Sequence, residues 1–259
     1  MVDYHMHSVL SDGKNTYEEM VQQAILKGLS EIGFSDHICL KPVDWALRLE
    51  DIPVMSRQIL DLKIKYMDQI QIRYGVEMDY FPGYEGEIRD IIESIPVDYV
   101  IGSVHFIGDW NFDTDESLYG KWTNDKLYEK YFHLIQKAAQ SGLFDVIGHI
   151  DIIKKFRIYP ETNQDKLFEE TIEIIKANNL VVELNTGGFD RPCHEFCPGQ
   201  KILEICYQHL VPVTLSSDAH RTVQIARHYS EAIALLTQVG YSEIIGFSHR
   251  VRRPIKLHQ

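Results

Sequence analysis

The chain has 259 residues, 44% of them hydrophobic and 25% charged, and a formal net charge of −12. That length suits one large α/β barrel or two smaller domains. The acidic balance argues against a broad nucleic-acid surface, but leaves room for a small anion where metal ions or a few arginines reverse the local field.

No apolar stretch approaches the roughly 20 residues of a membrane span, and the N-terminus lacks the basic and apolar regions of a signal peptide. The cysteines, Cys39, Cys193, Cys197 and Cys206, are too few for a disulfide framework. A cytoplasmic protein is expected.

The first apolar run, VDYHMH (2–7), carries His5 and His7, with Asp12 following in a Ser-Asp-Gly turn. Residues i and i+2 of a strand share a face, so the two imidazoles project together. TYEEMVQQAILKG (16–28) then reads as an amphipathic helix opened by a capping box, Thr16 with Glu19. EIGFSDH (31–37) ends on Asp36 and His37, and the pattern loosens from 39 to 57. IQIRYGVEM (70–78) ends at Glu77, EGEIRDIIES (85–94) reads as a helix, and DYVIGSVH (98–105) ends at His105. After a second loose stretch, 107–123, a helix is expected over 124–142. FDVIGHID (144–151) ends at His149, and a helix follows over 165–179. LVVELNTG (180–187) ends at Asn185 and Thr186, and another helix follows over 199–210. VPVTLSSDAH (211–220) closes on a second i, i+2 pair, Asp218 and His220. Gly28, Gly142 and Asn178 mark helix C-termini.

Seven strand–helix alternations predict parallel strands with crossover helices, in one domain spanning 1–259. Six of the twelve histidines then fall at strand C-terminal ends, where connecting loops converge and active sites form. A single histidine or carboxylate there is an ordinary structural residue. So many together, unpaired, would carry a large desolvation cost. Divalent cations resolve it, and the set exceeds one tetrahedral ion's needs, so two to three are expected. His133, His209 and His228 lie in helical stretches as surface or packing residues, and His249 and His258 in a solvated basic tail.

HMHS, SDH (35–37), GSVH (102–105) and SSDAH (216–220), with Glu77 and His149 between them, resemble the PHP (polymerase and histidinol phosphatase) family. The resemblance runs over essentially the whole chain and implies a distorted (β/α)7, TIM-like barrel around a trinuclear centre. It implies that His5, His7, Glu77 and Asp218 bind one metal. Glu77, His105 and His149 would bind a second, with Glu77 bridging, and Asp12, His37 and His220 a third. Glu77, Asp218 and His220 are placed nearest the chemistry. SVHFIGDWNFD (103–113), IGHIDIIKKF (147–156) and ELNTGGFDRP (183–192) resemble the monofunctional histidinol-phosphatase branch. Gly187, where that branch more often has Ser, and CHEFCP (193–198) depart from it.

The implied reaction is hydrolysis of L-histidinol phosphate in histidine biosynthesis, by attack of a metal-bridging hydroxide. The donor set accepts Zn, Mn, Fe or Co. Arg191 and Arg157, after the sixth and fifth strands, are the candidate phosphate clamps, with Lys154 and Lys155 behind them. Asp44, Trp45, Asp109, Trp110, Phe112 and Asp113 in the two loose stretches are candidates for the amine and imidazole ends. Asp36, Asp79 and Asp151 adjoin ligands and could orient them. Cys193, His194, Glu195 and Cys197 do not have a usual zinc spacing. The partner is a small phosphate ester, not nucleic acid or membrane. The alternatives are another PHP phosphoesterase and a non-catalytic metal-binding module.

Overall fold

A computed structural model describes residues 1–257; His258 lies outside them. The strands in chain order are β1 (Val2–Asp3), β2 (Glu31–Phe34), β3 (His37–Ile38), β4 (Gln71–Asp79), β5 (Tyr99–Ser103), β6 (Phe106–Ile107), β7 (Trp110–Asn111), β8 (Val146–Ile147), β9 (Val181–Asn185), β10 (Val213–Ser216), β11 (Glu243–Ser248) and β12 (Val251–Lys256). The helices are α1 (Tyr17–Leu26), α2 (Ile52–Lys65), α3 (Glu85–Glu93), α4 (Asn124–Gln140), α5 (Asp165–Ala177), α6 (Gln200–Gln208) and α7 (Tyr229–Val239).

All seven expected strands form, and they pair in parallel in the order β1-β2-β4-β5-β8-β9-β10. Beyond a break at Ser35–Asp36, β3 continues along β4 and sets His37 directly opposite Glu77. The ring closes beyond the regular strands, at a parallel bridge between Met6 and Ala219. His7 N–H donates to the Ala219 carbonyl (2.9 Å) and Ala219 N–H to the His5 carbonyl (3.1 Å). The fold is therefore the distorted seven-stave α/β barrel expected.

Local chemistry sets the element ends. Thr16 Oγ1 accepts from Glu19 N–H while the Glu19 carboxylate accepts from Thr16 N–H, so the capping box forms. Asn178 caps the C-terminus of α5 as expected, and Asn179 beyond it is left-handed.

Two helices lie outside the helical stretches given bounds from the sequence: α2, and α7, which starts at Tyr229 with His228, expected inside a helix, as its N-cap. The first begins inside the loose stretch 39–57, where Pro53 near its start spoils the apolar rhythm. The solvated tail expected around His249 is instead the antiparallel hairpin β11–β12, with His249 and Arg250 left-handed at its turn. The hairpin plugs the N-terminal mouth of the barrel. Phe247, fully buried, packs against Tyr4 and Tyr99 at 6.2 and 5.8 Å between ring centroids. Tyr99 fits inside only because Gly33 and Gly75 flank it, where a Cβ would come within 2.1 and 2.2 Å of its ring atoms. Buried Glu31 receives Arg73 at 2.6 Å and also Arg253 from the hairpin.

Candidate metal centre

His5, His7, Glu77, His105 and His149 are each buried, near the C-terminal ends of β1, β4, β5 and β8. Asp12, His37, Asp218 and His220 join them from β3 and two turns. All nine residues named from the sequence meet in one cavity region. Their donor atoms fall into four overlapping groups: His7, Asp12, His37 and His220; His5, His7 and Asp218; His5, Glu77 and His149; and His37, Glu77 and His105. The first group contains the implied Asp12, His37 and His220 set and the second lies within the implied His5, His7, Glu77 and Asp218 set, while the two groups around Glu77 mix residues of different sets. Barrel closure explains part of the geometry. The bridging residues Met6 and Ala219 are the middle residues of the two i, i+2 pairs, so His5 and His7 face Asp218 and His220 across the seam.

Glu77 is the hub. Its Oε1 accepts from Ser103 (2.6 Å) and lies 2.8 Å from His149 Nε2. Its Oε2 lies 2.7 Å from His37 Nδ1 and 3.1 Å from His5 Nε2. Yet His5 Nε2, His7 Nδ1, His37 Nδ1, Asp12 Oδ1 and Glu77 Oε2 are buried with no hydrogen-bond partner. Crowded, buried donor atoms not aligned with one another are what a cation site requires, and a set of imidazoles and carboxylates fits divalent transition ions.

The electrostatics follow the same crowding. Burial alone would raise the Glu77 and Asp218 carboxyls, but the imidazoles around them hold both well below the usual range. Burial would lower His37, but Glu77 draws it up to about 9. His5 is raised well above its usual value against burial, chiefly by Glu183 and Glu77. His105, His149 and His220 are also raised, each against burial, by neighbouring carboxylates. Burial and the neighbouring His37 and His220 push His7 down to about 4.

An outer ring orients these side chains. Glu183, absent from the sequence-based candidates, is fully buried; its Oε1 lies 2.5 Å from both His5 Nδ1 and Ser216 Oγ, and its Oε2 accepts from His149 N–H. An acid inside the apolar run VVELN was the available signal. Asp79 lies 2.9 Å from His105 Nδ1. Asp36 accepts from Ser8 N–H, Ser11 and Tyr17 and so fixes the turn after His7. Asp151, in contrast, is paired with Lys154 (2.7 Å) and accepts from Gly199 N–H. Asp218 sits at φ 52°, and Arg227 holds it there by donating to the Ser217 and Asp218 carbonyls (3.0 and 3.1 Å) and to Asp190 (2.8 Å). Gly187 makes room: a Cβ there would stand 2.7 Å from the Arg227 guanidinium.

The cavity beside the cluster is lined by Trp45, Asn111, Asp113, Thr114, Ile152 and Arg191 as well as by cluster residues. Trp45 stands edge-on to His37 and His105. Arg157 is not brought there: it is exposed at φ 63°, and its Nε donates to the Pro192 carbonyl. Asp44 is exposed, Asp109 is exposed and paired with Lys41, and Trp110 and Phe112 are buried in the core, so none of the four lines the cavity. Lys154 and Lys155 are buried in ion pairs with Asp151 and Asp113. Cys193 and Cys197 are free and buried and, among the described residues, belong to none of the metal-ligating groups. Cys197 instead pins its loop to β9 through two backbone hydrogen bonds with Asn185.

A closed parallel barrel with imidazoles and carboxylates nested at its strand C-termini defines an α/β barrel with a candidate polynuclear metal centre. The PHP domain profile matches residues 3–187, and the chain belongs to the PHP family. It is 30% identical over 261 residues to a protein of Deinococcus radiodurans named "Probable histidinol-phosphatase", covering 98% of this chain and 99% of that one. It is 27% identical to the histidinol-phosphatase of Lactococcus lactis, over 95% and 94% of the two chains. The crystal structure of the L. lactis histidinol phosphate phosphatase, complexed with Zn, L-histidinol and phosphate, superposes with a TM-score of 0.83 at 27% identity, covering 97% of this chain and 98% of that one.

Proposed function

We propose that the protein hydrolyses L-histidinol phosphate to L-histidinol and phosphate, a step of histidine biosynthesis, at a centre of two to three divalent ions. The observation that carries this is the junction of the nine-residue cluster with a cavity walled by Arg191, Trp45, Asn111 and Asp113. Full-length similarity to relatives of that name supports it, as does the ligand set of the L. lactis enzyme. The ligand reading keeps His5, His7, Glu77 and Asp218 for one ion, Glu77, His105 and His149 for a second, and Asp12, His37 and His220 for a third. Zinc is the first choice, and Mn, Fe or Co suit the same donors. Divalent ions so held supply a water acidic enough to react near neutral pH, and positive charge for the phosphoryl oxygens.

The chain's own residues do the rest. Glu77, wedged among five imidazoles, would offset repulsion between cations held there. Glu183 and Asp79 fix the rings of His5 and His105. Arg191 binds phosphoryl oxygens with its planar fork. Trp45 supplies a flat wall for an imidazole, and Asp113, its carboxyl held low against burial by Lys155 and His105, supplies an acceptor for an amine. The single-domain reading of 1–259 is supported by one sheet running from β1 to β10 with the hairpin packed beneath it. Among the described residues, no helix is long and apolar enough to cross a membrane; a cytoplasmic location is part of the proposal.

Phosphate release over a panel of monoesters tests it. Histidinol phosphate should exceed p-nitrophenyl phosphate, nucleotides and sugar phosphates in kcat/KM by roughly 30- to 1,000-fold, the equivalent of about 2–4 kcal/mol. Equal activity across the panel, or a preference for a nucleotide, would remove the histidinol assignment. No release from any ester by metal-loaded protein would remove the phosphatase.

A further inference from the structure

A second groove opens beside the catalytic cavity and shares three residues with it: Asp12, Arg191 and His220. Its other lining residues are Lys14, Asp190, Arg221, Gln224 and Arg227. The charge here runs against that of the whole chain, which carries −12. Arg227 pairs with Asp190 at 2.8 Å, and His228 Nε2 lies 2.8 Å from the same carboxylate. Asp12 faces inward to His220 at 3.1 Å. Lys14, Arg191 and Arg221 are exposed, and among the described residues none makes an ion pair with a carboxylate.

The backbone holds two of these cations against the cluster. Lys14 N–H donates to the His220 carbonyl (2.8 Å), and Thr222 N–H, next to Arg221, donates to the Asn15 side chain (3.1 Å). Gly13 is packed so tightly that a Cβ would lie 2.3 Å from the His7 carbonyl oxygen. Lys14 therefore follows Asp12, and Arg221 follows His220, on segments tied to each other. Three unpaired cations on fixed segments make a local positive field that leads to the cluster. Such a field raises the local concentration of an anion and speeds its capture, most strongly at low ionic strength.

We propose that this groove is a basic vestibule through which the phosphoryl dianion passes between solvent and the metal centre, with Lys14 and Arg221 forming its outer rim. The inference rests on the phosphomonoesterase reading above but concerns residues outside the ligand set. It also assigns a direction of approach: the phosphoryl group travels along the Asp12–His220 side of the cavity.

The test uses metal-loaded protein and two readouts. The first is kcat/KM for whichever monoester the parent hydrolyses best, measured from about 20 to 300 mM salt. The second is calorimetric affinity for inorganic phosphate over the same range, which needs no turnover. Lys14→Gln/Arg221→Gln should lose roughly three- to tenfold in both at low salt, with the loss fading as salt rises. Lys14→Arg/Arg221→Lys should recover the parent's salt dependence, and Lys166→Gln on the far helix α5 should match the parent throughout. A double variant equal to the parent at low salt overturns the vestibule, and so does a loss undiminished at 300 mM. If the parent hydrolyses no monoester yet the phosphate arm behaves as expected, the vestibule stands and the phosphatase reading falls.

Discussion

Glu77 is 1% exposed and approached by His5, His7, His37, His105 and His149 at 2.7 to 3.7 Å through its two oxygens. Replacing it with Gln keeps the shape but removes the charge that those imidazoles and any cations share. Glu77→Gln should retain its fold by circular dichroism, bind at least one metal equivalent fewer by elemental analysis, and lose at least a hundredfold in kcat. Near-normal kcat at saturating metal would show that Glu77 does not bridge. Arg227 acts at one remove, through the left-handed backbone of Asp218. Loss of a residue that orients a ligand typically costs 10- to 100-fold in metal affinity. Arg227→Ala should show about that loss in a competitive chelator titration, with Arg227→Lys intermediate. Gly187→Ser should weaken metal binding in the same direction, because its Cβ would displace the guanidinium. Unchanged affinity in both would reduce Arg227 to a surface residue.

At the scale of elements, the same strand segments that carry the site also close the barrel. The Met6–Ala219 bridge forces the His5–His7 pair and the Asp218–His220 pair together, so closing the ring and assembling the centre are one event. The opposite mouth depends on the β11–β12 hairpin. Phe247→Ala there would leave a cavity against Tyr4 and Tyr99. A buried Phe→Ala change costs about 3–5 kcal/mol. Urea unfolding of chelator-treated protein should show that loss, while metal stoichiometry of the folded fraction stays that of the parent. A cost below about 1 kcal/mol would mean that the hairpin is dispensable to the barrel.

At the scale of the whole molecule, metal, proton and stability are linked. Imidazole binds metal only when neutral. His37 is held up to about 9, so near pH 7 its ring retains a proton that a metal must displace, and carboxylates push His5, His105, His149 and His220 in the same direction. Metal affinity should therefore rise from pH 6 to pH 8. Zinc added to weakly buffered, chelator-stripped protein at pH 7 should release protons. Because metal binds only the folded chain, Tm should climb with free metal concentration. No proton release, or affinity that falls as pH rises, would contradict the protonation pattern of the cluster.

Periodicity made the seven staves and five of the helices legible, because apolar alternation and capping are local. The nine cluster residues were legible for a similar reason. All but Asp12, which follows in a turn and is drawn in by the family resemblance, sit at the end of an apolar run, and the order of strands in a parallel barrel fixes which end is shared. Other features depended on contacts distant in sequence. Glu183 looks like one acid in a buried strand until His5, 178 residues away, is seen beside it. Arg157 and Arg191 follow successive strands and are alike in sequence, yet the left-handed turn at Arg157 carries it to the Pro192 carbonyl and leaves Arg191 alone at the cavity. Asp113 and Phe112 are adjacent, but the loop's packing on Tyr131 buries the ring and leaves the carboxylate at the wall. The C-terminal hairpin was missed because its partners, Tyr4, Tyr99 and Glu31, lie at the far mouth of the barrel. Its basic residues read as solvated until those partners are in place. By itself, then, the sequence determined the barrel, its functional end and the chemistry of its donors, since these follow from local pattern and strand order. Only the tertiary structure decided which charges are paired and which remain free to meet a ligand, because burial and ion pairing are set by residues that the chain brings together only on folding.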